Sequence, residues 1–167
     1  YNSSRQLYII KIGGAIDDIS VNYNTFVAKE ASQYAAYYEP DAGSMPASFS
    51  ANNNIYARPI DDDNTIWVDF NGVNNYYTLA QWKTGSGEDA ASTKSPIAVS
   101  STAQLRIDYN STSSETAVYL PAIYKDMKDN IYPGVAYLLP YSSLVLAEYA
   151  AIPGEQEFLL NTKIVND

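Results

Sequence analysis

The sequence predicts an all-β protein in two parts, and three observations carry that expectation. Charged residues make up only 17% of the chain, and polarity comes instead from Asn, Ser, Thr and sixteen Tyr. That mixture suits pleated strands and the turns between them. A stretch of alternating apolar residues around an Asn-rich corner recurs thirty residues later (52 − 22 = 30) within the first sixty residues. From residue 103 onward, short alternating segments follow one another at intervals of about ten residues, the spacing of an antiparallel sandwich. The expected division is therefore stacked coils over 1–60, an antiparallel β-sandwich over 61–149, and a tail over 150–167 that is left unplaced.

Taken in order, "QLYIIKI" (6–12) reads as a strand closed by Gly13-Gly14. "ISVNYNTFV" (19–27) and "FSANNNIYA" (49–57) are the two repeat copies. They pair Ile19 with Phe49, Val21 with Ala51, Asn22 with Asn52, Asn24 with Asn54 and Phe26 with Tyr56. The physical reading is a coil in which one strand enters, an Asn takes a left-handed corner, and a second strand leaves. Segment 27–39 has helix-friendly alanines, yet "QYAAYY" suits a strand, which is the expectation adopted. Segment 40–48 is a loop by its Pro, Gly and Ser content. "TIWVDF" (65–70) puts Ile66, Val68 and Phe70 on one face and Trp67 and Asp69 on the other, and "NGVNN" (71–75) reads as a turn. Thr78 is a candidate N-cap for one or two helical turns over 79–83, ended near Gly85. Further on, "TAVYL" and "AIYKDM" read as two strands broken by Pro121, followed by a tight turn, a bent strand and a last strand, "SLVLAEY". Between the last two, Pro140 marks a corner, with Tyr141 expected to cover the sheet end and Ser142 and Ser143 to satisfy turn groups.

"NYNTF" and "NNNIY" resemble the turn motif of right-handed parallel β-helix proteins. The segment holding Tyr77, Leu79, Trp82, Gly87, Asp89 and Ser92 resembles one that often follows the last coils of those proteins. "LLPYSSLVL" (138–146) resembles the closing strand of small C-terminal β-domains on secreted bacterial polysaccharide-active proteins. The resemblance spans 19–148. It implies terminal β-helix coils followed by a capping sandwich, at the C-terminal end of a secreted or cell-surface bacterial protein. Many such proteins are polysaccharide lyases or glycoside hydrolases. The first residues lack a Met and a charged leader region, so the chain is expected to be a trimmed piece of something longer.

The net charge of −9 opposes binding to phosphate backbones, so nucleic acid is not an expected partner. With no Cys, disulfides, thiolate metal sites and thiol nucleophiles are excluded. With no His, a Ser-His-Asp triad cannot be built from this chain alone. No segment approaches the roughly 18 apolar residues of a membrane-spanning helix.

Two groups of candidate site residues remain. Trp67, Tyr76 and Tyr77, set among Asn71, Asn74 and Asn75, form a candidate carbohydrate-binding stretch: rings stack on sugar faces and amides bond hydroxyls. Their alternative reading is sandwich core, and Trp82 with Leu79 is read as core outright. Asp61, Asp62 and Asp63 are the densest oxygen-ligand cluster, so calcium is the one cofactor considered. A solvated acidic loop is the plainer reading, because the spacing of a calcium loop is missing. Asp17, Asp18, Glu30, Glu39, Asp69, Glu88 and Asp89 offer carboxylates for glycoside chemistry, and Lys11, Lys29, Arg58 and the tyrosines offer lyase bases. No spacing selects a constellation, so no catalytic residue is assigned. Asn2-Ser3-Ser4 and Asn110-Ser111-Thr112 fit the glycosylation pattern, which carries no weight in a bacterial chain.

Three functions follow as expectations. The first is a non-catalytic extracellular module that caps a β-helix and contacts polysaccharide. The second is a fragment of a lyase or glycoside hydrolase whose groove lies in upstream coils. The third is a structural or adhesive surface subunit that assembles through β edges, with its own copies or with an upstream chain as partner.

Overall fold

The computed structural model describes residues 10–12, 18–40, 44–61 and 64–151. These residues are mostly strand, with one short α-helix, so the all-β expectation holds. Contacts divide the chain into two compact units, one up to Thr102 and one from Ala103.

The first unit is built from parallel ladders. Strand β1 is Ile10–Ile12, β2 Ser20–Asn22, β3 Thr25–Val27, β4 Ala36–Pro40, β5 Ser50–Asn52, β6 Ile55–Ala57 and β7 Ile66–Phe70. Three pairings share one sequence step: Ser20 opposite Ser50 (β2–β5), Thr25 opposite Ile55 (β3–β6) and Ala36 opposite Ile66 (β4–β7), each 30 residues apart. The two repeat copies thus lie directly over one another. Strand β8 (Val73–Tyr77) turns back antiparallel on β7, and β9 (Thr93–Lys94) lies parallel on β6. Here the step grows to 38 (Ile55 opposite Thr93), and the surplus of 38 − 30 = 8 equals the length of the helix α1, Leu79–Ser86, inserted between β8 and β9. Because β7, β8 and β9 all pair within this unit, the contacts divide the chain near residue 102 and not near residue 60, where the sandwich was expected to begin.

Local chemistry explains the elements. The left-handed corners are Tyr23 (φ 59°) and Asn53 (φ 55°), one residue away from the Asn pairs at 22/52 and 24/54. Asn24 and Asn54 are instead used through their side chains: Asn54 Oδ1 accepts the Asn24 backbone N–H at 2.9 Å. Segment 28–35 is a loop, pinned where Gln33 Oε1 accepts the N–H groups of Lys29 and Glu30, and the strand begins only at Ala36. The expected turn over 71–75 shrinks to two residues. Asn71 and Gly72 both have positive φ (54° and 82°), the type I′ geometry that lets β8 start at once. α1 begins on a capping box between Thr78 and Gln81 and stops at Gly87, whose φ of 78° suits glycine. It therefore runs past Gly85, where the sequence placed its end.

Alternation buries Ala36 and Tyr38 from β4 and Ile66 and Val68 from β7, joined by Val21, Phe49, Ala51 and Tyr56. α1 adds Leu79 and Trp82 to this core. The Trp82 ring stacks on Tyr38 at 5.4 Å, and Phe49 meets the Tyr38 edge at 5.3 Å. Aromatic pairs of this kind add about 0.5–1.5 kcal/mol each beyond area burial.

The second unit is a four-stranded antiparallel sheet of β10 (Leu105–Tyr109), β11 (Thr116–Asp126), β12 (Ile131–Leu138) and β13 (Ser143–Ala151), in the order β10-β13-β11-β12. Leu120, Ala122, Tyr124, Ala136 and Leu146 form its core. Pro121 does not split β11 in two. It sits where the register shifts between Tyr119 and Ile123, a bulge that needs no ladder donor. Asp126 organises the β11–β12 turn, accepting from the N–H groups of Lys128 and Asn130 and from the Tyr132 hydroxyl. Asn110 is buried, and its Nδ2 donates to the carbonyls of Ser114, Leu138 and Leu139, which ties the loops at one sheet end together. Pro140 and Tyr141 make a tight turn closed by Ser142 N–H to the Leu139 carbonyl, with Tyr141 at φ 53°. Ser142 satisfies turn groups as expected, but Tyr141 is 74% exposed and covers no sheet end. β13 continues to Ala151, past the expected boundary at 149, and the rest of the tail lies outside the described residues.

Candidate functional site

The antiparallel register of β7 and β8 sorts the candidate sugar-binding residues onto two faces. Trp67 opposes Tyr76, and Asp69 opposes Asn74, on the outer face. Ile66 opposes Tyr77, and Val68 opposes Asn75, on the core face. Trp67, Tyr76 and Asn74 are therefore brought together, while Tyr77 packs on Trp82 at 6.0 Å and Asn75 bonds the Val73 carbonyl. The spacing of these aromatics suggested one stretch, but a period of two divides them.

Two residues missed in the sequence complete the outer face. Tyr37 of β4 lies opposite Trp67 in the parallel ladder, with ring centroids 4.1 Å apart. Tyr34, in the loop before β4, lies 5.6 Å from Trp67 and stacks on Tyr76 at 5.2 Å. Trp67 and Tyr76 are themselves 5.9 Å apart. The result is a four-ring cluster in which Tyr76 is 45% exposed, Tyr34 and Trp67 are part-buried and Tyr37 is buried at 4%, so three of the rings offer surface to a ligand. The thirty-residue step would have found Tyr37, since 67 − 37 = 30.

Polar groups frame the rings. Trp67 Nε1–H donates to Asn74 Oδ1 at 2.6 Å, which fixes the indole and leaves the amide N–H groups of Asn74 for another partner. The Tyr37 hydroxyl donates to Glu39 at 3.2 Å, and Asp69 accepts from the Gly72 backbone N–H. The Arg58 guanidinium sits 5.4 Å from the Tyr34 ring centre and donates to the carbonyls of Ala31 and Asn64. Burial raises the Tyr34 phenol above its ordinary pKa, and the neighbouring Tyr76 pushes the same way, so this hydroxyl stays a neutral donor and acceptor. Such a surface offers ring faces for sugar C–H groups and fixed amide and carboxylate groups for hydroxyls. It offers no reacting group with a partner poised to activate it.

The acidic cluster is placed only in part. Asp61 forms an ion pair with Arg58 at 3.6 Å, while Asp62 and Asp63 lie outside the described residues. Among the described residues, no three His, Cys, Asp or Glu side chains converge as metal ligands. Of the carboxylates considered for glycoside chemistry, Asp89 is wholly buried and serves the fold. Its Oδ2 accepts from Tyr56 Oη–H (3.0 Å) and Trp82 Nε1–H (2.9 Å), and its Oδ1 accepts from Asn54 Nδ2 (3.1 Å) and Ser92 Oγ–H (2.5 Å). Ser92 Oγ in turn accepts the Asn54 backbone N–H, so Asn24, Asn54 and Ser92 form one polar stack beside the parallel ladder of β3, β6 and β9. Burial pushes the phenols of Tyr38 and Tyr56 far up, so both remain protonated inside the core. Among the described residues, no helix is long and apolar enough to cross a membrane.

Comparison of the chain with protein-family models, with curated protein sequences and with solved structures gave no match.

Proposed function

We propose that the chain is a non-catalytic module of an extracellular or cell-surface bacterial protein, and that it contacts polysaccharide through the outer face of β4, β7 and β8. In this reading the parallel ladders of the first unit are the last coils of a right-handed β-helix. The antiparallel sheet of the second unit belongs to a sandwich-like cap, which protects a solenoid end from open-ended pairing. The observation that carries the glycan assignment is the gathering of Tyr34, Trp67 and Tyr76 on one face beside Asn74, packed against the buried Tyr37 ring. With a net charge of −9, the preferred ligand is a neutral polysaccharide, because anionic chains are repelled unless a cation bridges. The test is binding of the purified chain to neutral and anionic polysaccharides, with and without calcium, while released products are assayed. Retention of a neutral polysaccharide without products supports the module. Retention of none removes the glycan assignment and moves the search to protein partners.

One observation favours a second reading, a hydrolase fragment. Glu39 of β4 and Asp69 of β7 stand thirty residues apart on neighbouring parallel strands, so two carboxylates, the number glycoside hydrolysis needs, are carried by adjacent strands. Product release that disappears in Glu39→Gln would establish it over the module.

A further inference from the structure

A second concave site lies away from the outer face. Met45, Phe49, Phe70, Tyr77, Trp82 and Glu88 line a cavity of about 460 Å³ between residues 44–49 and helix α1. That volume falls in the usual range for small-molecule sites. Four of its lining residues are aromatic, Phe49 and Trp82 almost wholly buried and Phe70 and Tyr77 part-buried. Phe70 and Tyr77 come from the core face of β7 and β8, so the cavity shares no residue with the four-ring patch.

We propose that this cavity binds a small organic cation of the quaternary-ammonium class. The charge arrangement carries the assignment. Among the described residues that line the cavity, Glu88 is the one side chain bearing a formal charge, and none is Lys or Arg. Ring faces are negative and attract a cation most strongly where water is excluded. The chain as a whole, with 19 acidic and 10 basic residues, draws cations towards its surface. An anion would meet only repulsion there.

Hydrogen-bonding capacity selects a quaternary over a primary ammonium. A primary ammonium needs three acceptors. Glu88 Oε2 already accepts the Ala51 N–H at 2.7 Å, Gln81 Oε1 is held in the capping box, and Ser86 Oγ–H donates to the Trp82 carbonyl. A trimethylammonium group needs no donors satisfied, loses little hydration, and packs its methyls on rings.

The probe is choline, titrated against its neutral isostere 3,3-dimethylbutan-1-ol by calorimetry on the full chain. Choline is expected to bind roughly tenfold or more tightly than the alcohol. Glu88→Gln retains an oxygen to accept the Ala51 N–H, so it is expected to weaken choline about fivefold while leaving the alcohol unchanged. Phe70→Leu keeps the wall apolar but removes a ring, and is expected to act in the same direction. Trp67→Ala, on the other face, is expected to leave choline binding intact, so this site and the glycan face fail or succeed separately. Equal affinity for the two probes overturns the proposal. So does indifference to both cavity substitutions, or no choline binding up to about 50 mM, where a contact is worth under roughly 2 kcal/mol.

Discussion

Replacing Asp89 by Asn changes one atom of a wholly buried side chain and tests how the parallel strands of the first unit are locked together. The carboxylate accepts four hydrogen bonds, two at each oxygen. An amide can present only one oxygen. If its NH2 takes the Oδ2 position, it faces the Trp82 indole N–H, which is a donor only, and that N–H is orphaned. If it takes the Oδ1 position, it faces the amide N–H groups of Asn54 instead. Either way a buried donor is left unpaired, at a cost of about 1–3 kcal/mol. The remaining bonds also lose charge assistance, which contributes about 1 kcal/mol more across the site. Removing a desolvated charge offsets part of this. The expected net destabilisation is about 2–4 kcal/mol. Both tryptophans, Trp67 and Trp82, lie in the first unit, so fluorescence during urea unfolding reports on that unit alone. With an m-value of about 1.5 kcal/mol/M, the midpoint falls by roughly 2 M. Adding Trp82→Phe, which deletes the orphaned N–H, is expected to recover at least about 1 kcal/mol relative to additivity. An Asp89→Asn midpoint within about 0.3 M of wild type would refute the reasoning, because the carboxylate would then not be the acceptor for these donors.

Two further outcomes are expected. Burial raises the pKa values of Tyr38 and Tyr56 above the ordinary 10.0, so the native state keeps two protons that the unfolded chain releases in alkali. Their stabilisation is fully present below pH 10 and lost as pH rises above it, at up to about 2.7 kcal/mol per pH unit; urea midpoints measured from pH 9 to 11.5 would show the fall, and Tyr38→Phe would roughly halve the slope. In the second unit, Tyr141 is exposed yet held at φ 53°, a conformation costing a non-glycine residue about 1–2 kcal/mol, so Tyr141→Gly is expected to raise stability by roughly 0.5–1 kcal/mol in a thermal melt.

The all-β class was legible because Tyr, Thr and Asn have strong positional preferences. The thirty-residue step was legible because Asn24 and Asn54 do a job that few residues can do, bonding backbone and neighbour in a stack whose Asn54 end is buried. The start of the helix at Thr78 was legible from its capping chemistry, but its end lies at Gly87 and not near Gly85, and the meeting of Trp82, Asp89 and Ser92 in one polar cluster had no cue in their spacing. Other features were hidden. Tyr23 occupies a left-handed corner for which its own chemistry gives no cue, since the corner is set by the stacked Asn residues beside it. The aromatic face could not be read from 67–77 alone, because Tyr34 and Tyr37 come from β4 and the loop before it. The split of Tyr76 from Tyr77 required knowing that the hairpin turns on Asn71-Gly72. Asn110 fits a glycosylation pattern, yet its amide is spent on three carbonyls inside the second unit.

The measurement that tests the central claim most directly is the affinity of the chain for a neutral polysaccharide, in wild type and in Trp67→Ala, with urea unfolding of both as the control for folding. Retardation of the wild-type chain in a polysaccharide-containing native gel, lost in a folded Trp67→Ala variant by about tenfold or more in affinity, is the expected result. Equal retardation of the two folded proteins would contradict the assignment of the Tyr34, Tyr37, Trp67 and Tyr76 face.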